Sequence, residues 1–182
     1  MENYYLKRED CILLLIDIQE RLVPSMRCQE RLIKNNNLLL ATARTLDIPV
    51  FLTEQYVRGL GETVKELDFN GLVVNKLEKL TFSAVVPELL EWLQKVKRSH
   101  IIVTGVETHV CVYQTTRDLL RLGYQCHLVQ DAVDSRFELN YLNAIELMRS
   151  QGAVITNTET VMFDLLQVAG TPEFKVLSPL LR

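Results

Sequence analysis

No apolar run in this chain of 182 residues approaches the roughly 18 that a membrane-spanning helix needs. A surplus of either charge is also missing: 20 Lys and Arg stand against 23 Asp and Glu, for a formal net charge of -3. That balance offers no basic face for nucleic acid and no acidic solvated arm. The opening residues, Met1-Glu2-Asn3-Tyr4-Tyr5-Leu6-Lys7-Arg8, contain neither an apolar core nor a cleavage site, so they do not read as a signal peptide. Cysteine is scarce. Cys11, Cys28, Cys111 and Cys126 form no CxxC pair, and His100, His109 and His127 are scattered. Ligand spacing for zinc is therefore absent, and a disulfide framework is not expected at this size without a secretion signal. Cys11 and Cys126 fall in strand-like runs as small core residues. No repeat, low-complexity tract or interdomain linker interrupts the sequence. These absences predict a soluble, cytoplasmic protein with a single domain over residues 1–182, large enough for a sizeable core.

What the chain does contain is alternation. Residues 11–17 are continuously apolar, as in a strand covered on both faces. Helical spacing follows over 29–46, then a strand at 50–53, a loop with a helical turn over 57–70 and a short strand at 72–74. A helix at 85–97, a strand at 100–104 and a helix over 108–122 come next, the last stopped by Gly123. The pattern closes with a strand at 125–129, a helix at 138–150, a strand at 153–156 and a helix at 158–168. Such alternation predicts a three-layer α/β/α, Rossmann-like fold around a six-stranded parallel sheet. Right-handed crossovers favour the order 3-2-1-4-5-6, with a crevice between strands 1 and 4.

Two residues meet at that crevice. Asp17 ends the run Ile12-Leu13-Leu14-Leu15-Ile16, and Cys111 opens a helix just after Ile101-Ile102-Val103-Thr104-Gly105-Val106. A carboxylate at the end of an apolar strand is costly to bury unless it is paired, the alternative being a helix N-cap near Gln19. A helix N-terminus and a nearby cation lower a thiol's pKa below its usual value of about 8.5. The other reading of Cys111 is a small buried hydrophobe. Gly105 permits a tight strand-to-helix turn whose N–H groups can hold an oxyanion. An ammonium would complete the set, and Lys76 and Lys79 are both candidates that spacing alone does not separate. His109 lies two residues before Cys111, a spacing that does not share a helix face, which makes it a packing or pocket residue. A phosphoryl-transfer reading of Asp17 fails because Gln19 stands where a second carboxylate is needed. Gly59-Leu60-Gly61 is also too short for a dinucleotide fingerprint.

With these residues in view, the chain resembles the isochorismatase-like cysteine hydrolase superfamily. The resemblance rests on Leu14-Leu15-Ile16-Asp17-Ile18-Gln19, on Lys79-Leu80-Thr81-Phe82-Ser83-Ala84, and on Gly105-Val106-Glu107-Thr108-His109-Val110-Cys111, in that order over nearly the whole chain. It implies Cys111 as nucleophile and Asp17 as general base. The family lysine precedes a Phe-Ser pair by three residues, which selects Lys79 over Lys76. The resemblance further implies a cis peptide between Val106 and Glu107, with N–H groups of Glu107 and Cys111 facing an oxyanion.

Within the superfamily, nicotinamidases carry an Asp-x-His metal motif after strand 2. Gln55-Tyr56-Val57 stands there in this chain, so the expectation is no metal and no cofactor. The Thr53-Glu54-Gln55-Tyr56 and Gly59-Leu60-Gly61 elements look like the isochorismatase domain-containing subgroup. Gln55, Tyr56 and Phe82 are candidate substrate-binding residues because they lie beside the inferred site. The resemblance implies hydrolysis of a small amide-type (C–N) or related substrate through a thioester. Vinyl-ether cleavage of the isochorismatase type and a non-catalytic ligand-binding or assembly role are the alternatives. The expected partners are a small-molecule substrate and further copies of the chain, as a dimer or larger homo-oligomer, with neither nucleic acid nor membrane.

Overall fold

The computed structural model describes residues 4–181. Six parallel strands form one sheet in the order β3-β2-β1-β4-β5-β6. They are β1 (Cys11–Ile16), β2 (Val50–Gln55), β3 (Val74–Lys79), β4 (His100–Val106), β5 (Gln125–Asp134) and β6 (Val154–Thr156). The helices are α1 (Gln29–Thr45), α2 (Val57–Leu60), α3 (Pro87–Val96), α4 (Tyr113–Arg121), α5 (Glu138–Ser150), α6 (Thr158–Leu166) and α7 (Pro172–Leu177). The expected three-layer fold and strand order are both present. Among these residues no helix is long and apolar enough to cross a membrane.

The central strand explains the layering. Every residue of β1 is buried, and successive side chains point to opposite faces. Cys11, Leu13 and Leu15 join one core with Leu32, Leu39 and Leu40 of α1 and Val161 and Leu165 of α6. Ile12, Leu14 and Ile16 join the other, with Leu89 and Leu93 of α3, Leu119 of α4 and Ile145 and Met148 of α5. Each such side chain contributes about 1.5–3 kcal/mol of transfer free energy. A strand flanked on both faces thus reads as an unbroken apolar run rather than an alternating one.

Most boundaries shift by one or two residues, and three differences matter more. Strand 3 runs Val74–Lys79 rather than 72–74, so Lys76 and Lys79 lie on the strand and not in a loop after it. It is an edge strand with a polar sequence, which left no apolar run to find. Strand 5 continues to Asp134, with a register irregularity between Val103 and Gly105 of its neighbour β4. The helix expected over 108–122 begins with a π-helical turn, Thr108–Val112, before α4. The apolar tail after Pro172 forms α7 and buries Leu177.

Candidate active site

The chain leaves β1 through Asp17, whose φ of 53° lies in the left-handed region. No helix starts at Gln19, so Asp17 is not an N-cap. Its N–H donates to the Thr53 carbonyl at 3.1 Å. Its fully buried carboxylate accepts from the Thr53 hydroxyl on Oδ1 at 2.6 Å and from Lys79 Nζ on Oδ2 at 2.7 Å. The partners come from β2, which adjoins β1, and from β3 beyond it. A buried carboxylate is tolerable only when it is paired and hydrogen-bonded in this way.

Lys79 is equally confined. Besides Asp17, its ammonium donates to Gln55 Oε1 at 2.8 Å, to the Phe82 carbonyl at 3.1 Å and to the Thr81 carbonyl at 3.3 Å. Three protons facing four acceptors leave none idle. Gln55 is anchored in turn: its amide nitrogen donates to the Leu80 carbonyl, and its backbone N–H to Gln19 Oε1. Gln19 Nε2 closes the ring by donating to the carbonyls of Gln55 and Gly61. Both ends of the Gln55 amide are therefore engaged within the protein. Lys76, the other lysine considered, pairs instead with Glu54 at 3.0 Å.

Across the crevice, Gly105 on β4 faces Ile16 on β1. Its φ is +117°, and a Cβ there would fall on the Ile16 carbonyl, so only glycine lets the two strand ends approach. The Val106–Glu107 peptide is cis, as the resemblance implied. The π-helical turn then follows, with the Val112 N–H reaching back to the Glu107 carbonyl at 3.3 Å. Cys111 sits in this turn, only 6% exposed, in the apolar cluster with Ile12, Leu14 and Ile16.

The thiol does not behave as a helix N-terminus alone would dictate. Burial pushes the Cys111 pKa well above the ordinary thiol range, and the Asp17 charge pushes it further, while Lys79 opposes both. Burial and the Asp17 charge thus favour the protonated thiol beside the carboxylate–ammonium pair, against the depressed pKa expected from a helix N-terminus and a nearby cation. Burial also raises Cys11 and Cys126, each to about 12. What separates Cys111 from them is the presence of Asp17 and Lys79.

The other expected site residues surround this centre. Val106 is buried, and the Glu107 carboxylate turns away to accept from the backbone N–H and Nε of Arg136 at 3.0–3.1 Å. The Glu107 N–H makes no hydrogen bond among the described residues. Tyr56 and Phe82 are half-exposed on the loops after β2 and β3. His109 bonds Ser135 at 3.0 Å and Asn140 at 3.3 Å, in keeping with a packing role. Thr53, the supporting role of Gln19 and Arg136 escaped the sequence reading. The signal for Thr53 was a hydroxyl on an otherwise buried strand. Among the described residues no group of three or more His, Cys, Asp or Glu side chains converges as metal ligands would.

Comparison with known proteins places this geometry among relatives. The family model of the isochorismatase domain matches residues 11–160. A secreted isochorismatase effector of Phytophthora sojae is 38% identical over 176 residues, covering 94% of this chain and 84% of its own. Isochorismatase domain-containing protein 2A of Mus musculus is 36% identical over 175 residues, covering 96% of this chain and 84% of its own. Among solved structures, the MAR1 ribonuclease of Caenorhabditis elegans superposes with a TM-score of 0.91 at 34% identity, over 97% of this chain and 91% of that one.

Proposed function

The chain belongs to the isochorismatase-like hydrolase family, and from that premise we propose that it hydrolyses a small amide-type C–N bond through a cysteine thioester. The observation that carries this reading is the fixed, fully buried Asp17 carboxylate, tied to Thr53 and Lys79 beside the Cys111 thiol. A thiol with a raised pKa is a poor nucleophile until a base takes its proton. In this reading Asp17 is that base.

The steps balance within the site. The proton passes from Cys111 Sγ to the Asp17 carboxylate while the Lys79 charge holds the resulting thiolate. Carboxylate, ammonium and thiol together carry no net charge before or after, so the transfer adds no charge to a buried region. The thiolate attacks the substrate carbonyl carbon, forming the C–S bond and moving the π electrons onto oxygen. The N–H groups of Glu107 and Cys111, beside Val106, take that oxyanion. Collapse breaks the C–N bond, and Asp17 returns its proton to the departing amine. Water, deprotonated by Asp17, then cleaves the thioester, and the thiolate recovers its proton. Tyr56 and Phe82 contact the substrate, while Gln55 orients Lys79.

Intact mass measurement with a library of small amides tests this. An acyl adduct confined to Cys111, absent in Cys111→Ala and in Asp17→Asn, is the expected result. Equal turnover of a confirmed substrate without Cys111 would sink covalent catalysis. One observation favours a second, non-catalytic reading: the neutral thiol packed among apolar side chains. Absence of any adduct across the library, with ligand binding retained, would favour it. The MAR1 relative is named a ribonuclease. Here the net charge of -3 gives a phosphodiester backbone no overall attraction, and the triad is nearly buried.

Assembly and compartment belong to the same proposal. Phe137, Leu139 and Leu142 are exposed apolar residues at and after the start of α5, which fits a homo-oligomer. Four free cysteines fit a reducing cytoplasm, although the Phytophthora relative is named as secreted.

A further inference from the structure

The turn that carries Cys111 is gripped from one side by the residues that follow β5. His109 meets Ser135 Oγ through Nδ1 at 3.0 Å and Asn140 Nδ2 through Nε2 at 3.3 Å. Two residues earlier, the Glu107 carboxylate accepts from the Arg136 N–H at 3.0 Å and from Arg136 Nε on both oxygens at 3.1 Å. The His109 contacts tie the turn to uncharged partners. The Glu107 contacts bring a carboxylate and a guanidinium where an anchor alone needs neither. An ion pair replaced by well-packed apolar groups commonly costs no stability. The pair is therefore kept for what its charges do.

The two charges are unequally sheltered. The Glu107 side chain is 9% exposed and that of Arg136 54%, so water screens the guanidinium far better than the carboxylate. Among the described residues no group outside Arg136 donates to that carboxylate. It also belongs to the residue whose N–H, in the reaction proposed above, receives the oxyanion, and that N–H makes no hydrogen bond among the described residues. Left alone, the carboxylate would place a fixed negative charge beside one developing on the substrate, in a region poor in water, where like charges repel strongly. The charges that act on the Cys111 thiol are different ones, Asp17 and Lys79.

We infer that Arg136 is a positioning residue for acyl transfer. It acts through Glu107, holding and neutralising the carboxylate so that the N–H of the same residue can receive an oxyanion. The inference rests on the reading of Cys111 as a nucleophile that forms an acyl-enzyme.

Two reagents for the same thiol separate this role from that of a tether. p-Nitrophenyl acetate acylates Cys111 through a tetrahedral oxyanion: the C–S bond forms, Asp17 takes the thiol proton, and the C–O electron pair leaves with nitrophenolate. Iodoacetamide alkylates by displacement of iodide and builds no oxyanion. Neither reagent carries a charge for Arg136 to bind. Rates at Cys111 are read by peptide mass mapping. Arg136 is half-exposed, so Arg136→Met leaves no core cavity, and circular dichroism checks its fold. It is expected to slow acylation at least about tenfold and alkylation less than about twofold. Arg136→Lys, which keeps the charge, should retain most of the acylation rate. Glu107→Gln with Arg136→Met removes both charges and should bring acylation back to within about threefold of wild type. Equal slowing with both reagents makes Arg136 a tether and overturns the inference. A double variant no faster than Arg136→Met overturns it as well. Undiminished acylation in Arg136→Met defeats the inference and leaves the acyl-enzyme reading intact. A wild-type Cys111 that alkylates but takes no acetyl group defeats that reading, and the inference with it.

Discussion

A carboxylate with no solvent contact survives in a protein only through its partners, and Asp17 has two. Lys79→Met removes the charged one and leaves Asp17 with the Thr53 hydroxyl alone. Breaking a buried pair from one side costs about 3–5 kcal/mol. Urea denaturation should show a loss of that size, and Asp17→Asn combined with Lys79→Met should recover part of it. The same pair sets the thiol in opposite directions. Asp17 raises the Cys111 pKa and Lys79 lowers it. Asp17→Asn should therefore speed alkylation of Cys111 by iodoacetamide at neutral pH even as it abolishes turnover, and Lys79→Met should slow it. Cys11 and Cys126, both near 12, serve as internal references in the same mass spectra. Slower alkylation in Asp17→Asn would show that the carboxylate acts on the thiol chiefly as proton acceptor, outweighing the effect of its charge. Asp17 and Cys111 were legible because one ends an apolar strand, the other opens the helix after such a strand, and strand order brings both to one crevice. Lys79 needed the family resemblance. The Thr53 contact spans 36 residues of sequence, and no local pattern records a partner on another strand.

At the scale of elements, legibility followed burial. The long apolar strands β1 and β4 and the helix α5 were found nearly to the residue. The edge strand β3, Val74-Asn75-Lys76-Leu77-Glu78-Lys79, was placed too early because its ladder bonds leave no hydrophobic trace. The turn after β4 was visible as glycine, but its π-helical form was not, since that depends on how Glu107 and Val112 meet. Gly105→Ala tests the β1–β4 junction. It combines a left-handed φ with a Cβ on the Ile16 carbonyl, and a loss of at least about 3 kcal/mol is expected. The opposite end of the same sheet carries a titratable pair. His100 Nδ1 and His127 Nε2 are 3.1 Å apart on β4 and β5. Burial, then the neighbouring His100, depress His127 to about 4. The unfolded chain takes up that proton near pH 6.5, while the folded chain refuses it until about 4. Stability from this group is thus complete above the unfolded pKa and lost as pH falls through that window, by up to about 3 kcal/mol. Denaturation midpoints of His127→Gln should fall less steeply with acidification than those of wild type. Parallel curves would remove the histidine from the account.

The whole molecule joins these ends through strand order. Because β1 and β4 are neighbours although 89 residues separate Cys11 from His100, the reversal of strand order opens a crevice where Asp17 and Cys111 meet. That much followed from alternation and handedness. What the strand pattern could not reveal is which apolar residues stay on the surface, since an exposed leucine and a buried one look alike in sequence. On α5, Leu139 is 80% exposed and Leu142 half-exposed, beside the exposed Phe137. Asn140 on the same helix bonds His109 in the turn that carries Cys111. An interface on this stretch would therefore lie against the turn that carries Cys111. Wild type should run as a dimer or larger species in light scattering, and Leu139→Glu with Leu142→Glu should run as a monomer, since two buried, unpaired carboxylates oppose association. If the pair remains assembled, the contact lies elsewhere; if wild type is monomeric at working concentration, the exposed stretch has another partner. Should the monomeric variant also alkylate faster at Cys111 than wild type, the neighbouring copy would be what shields the thiol. Assembly would then belong to the chemistry of the site.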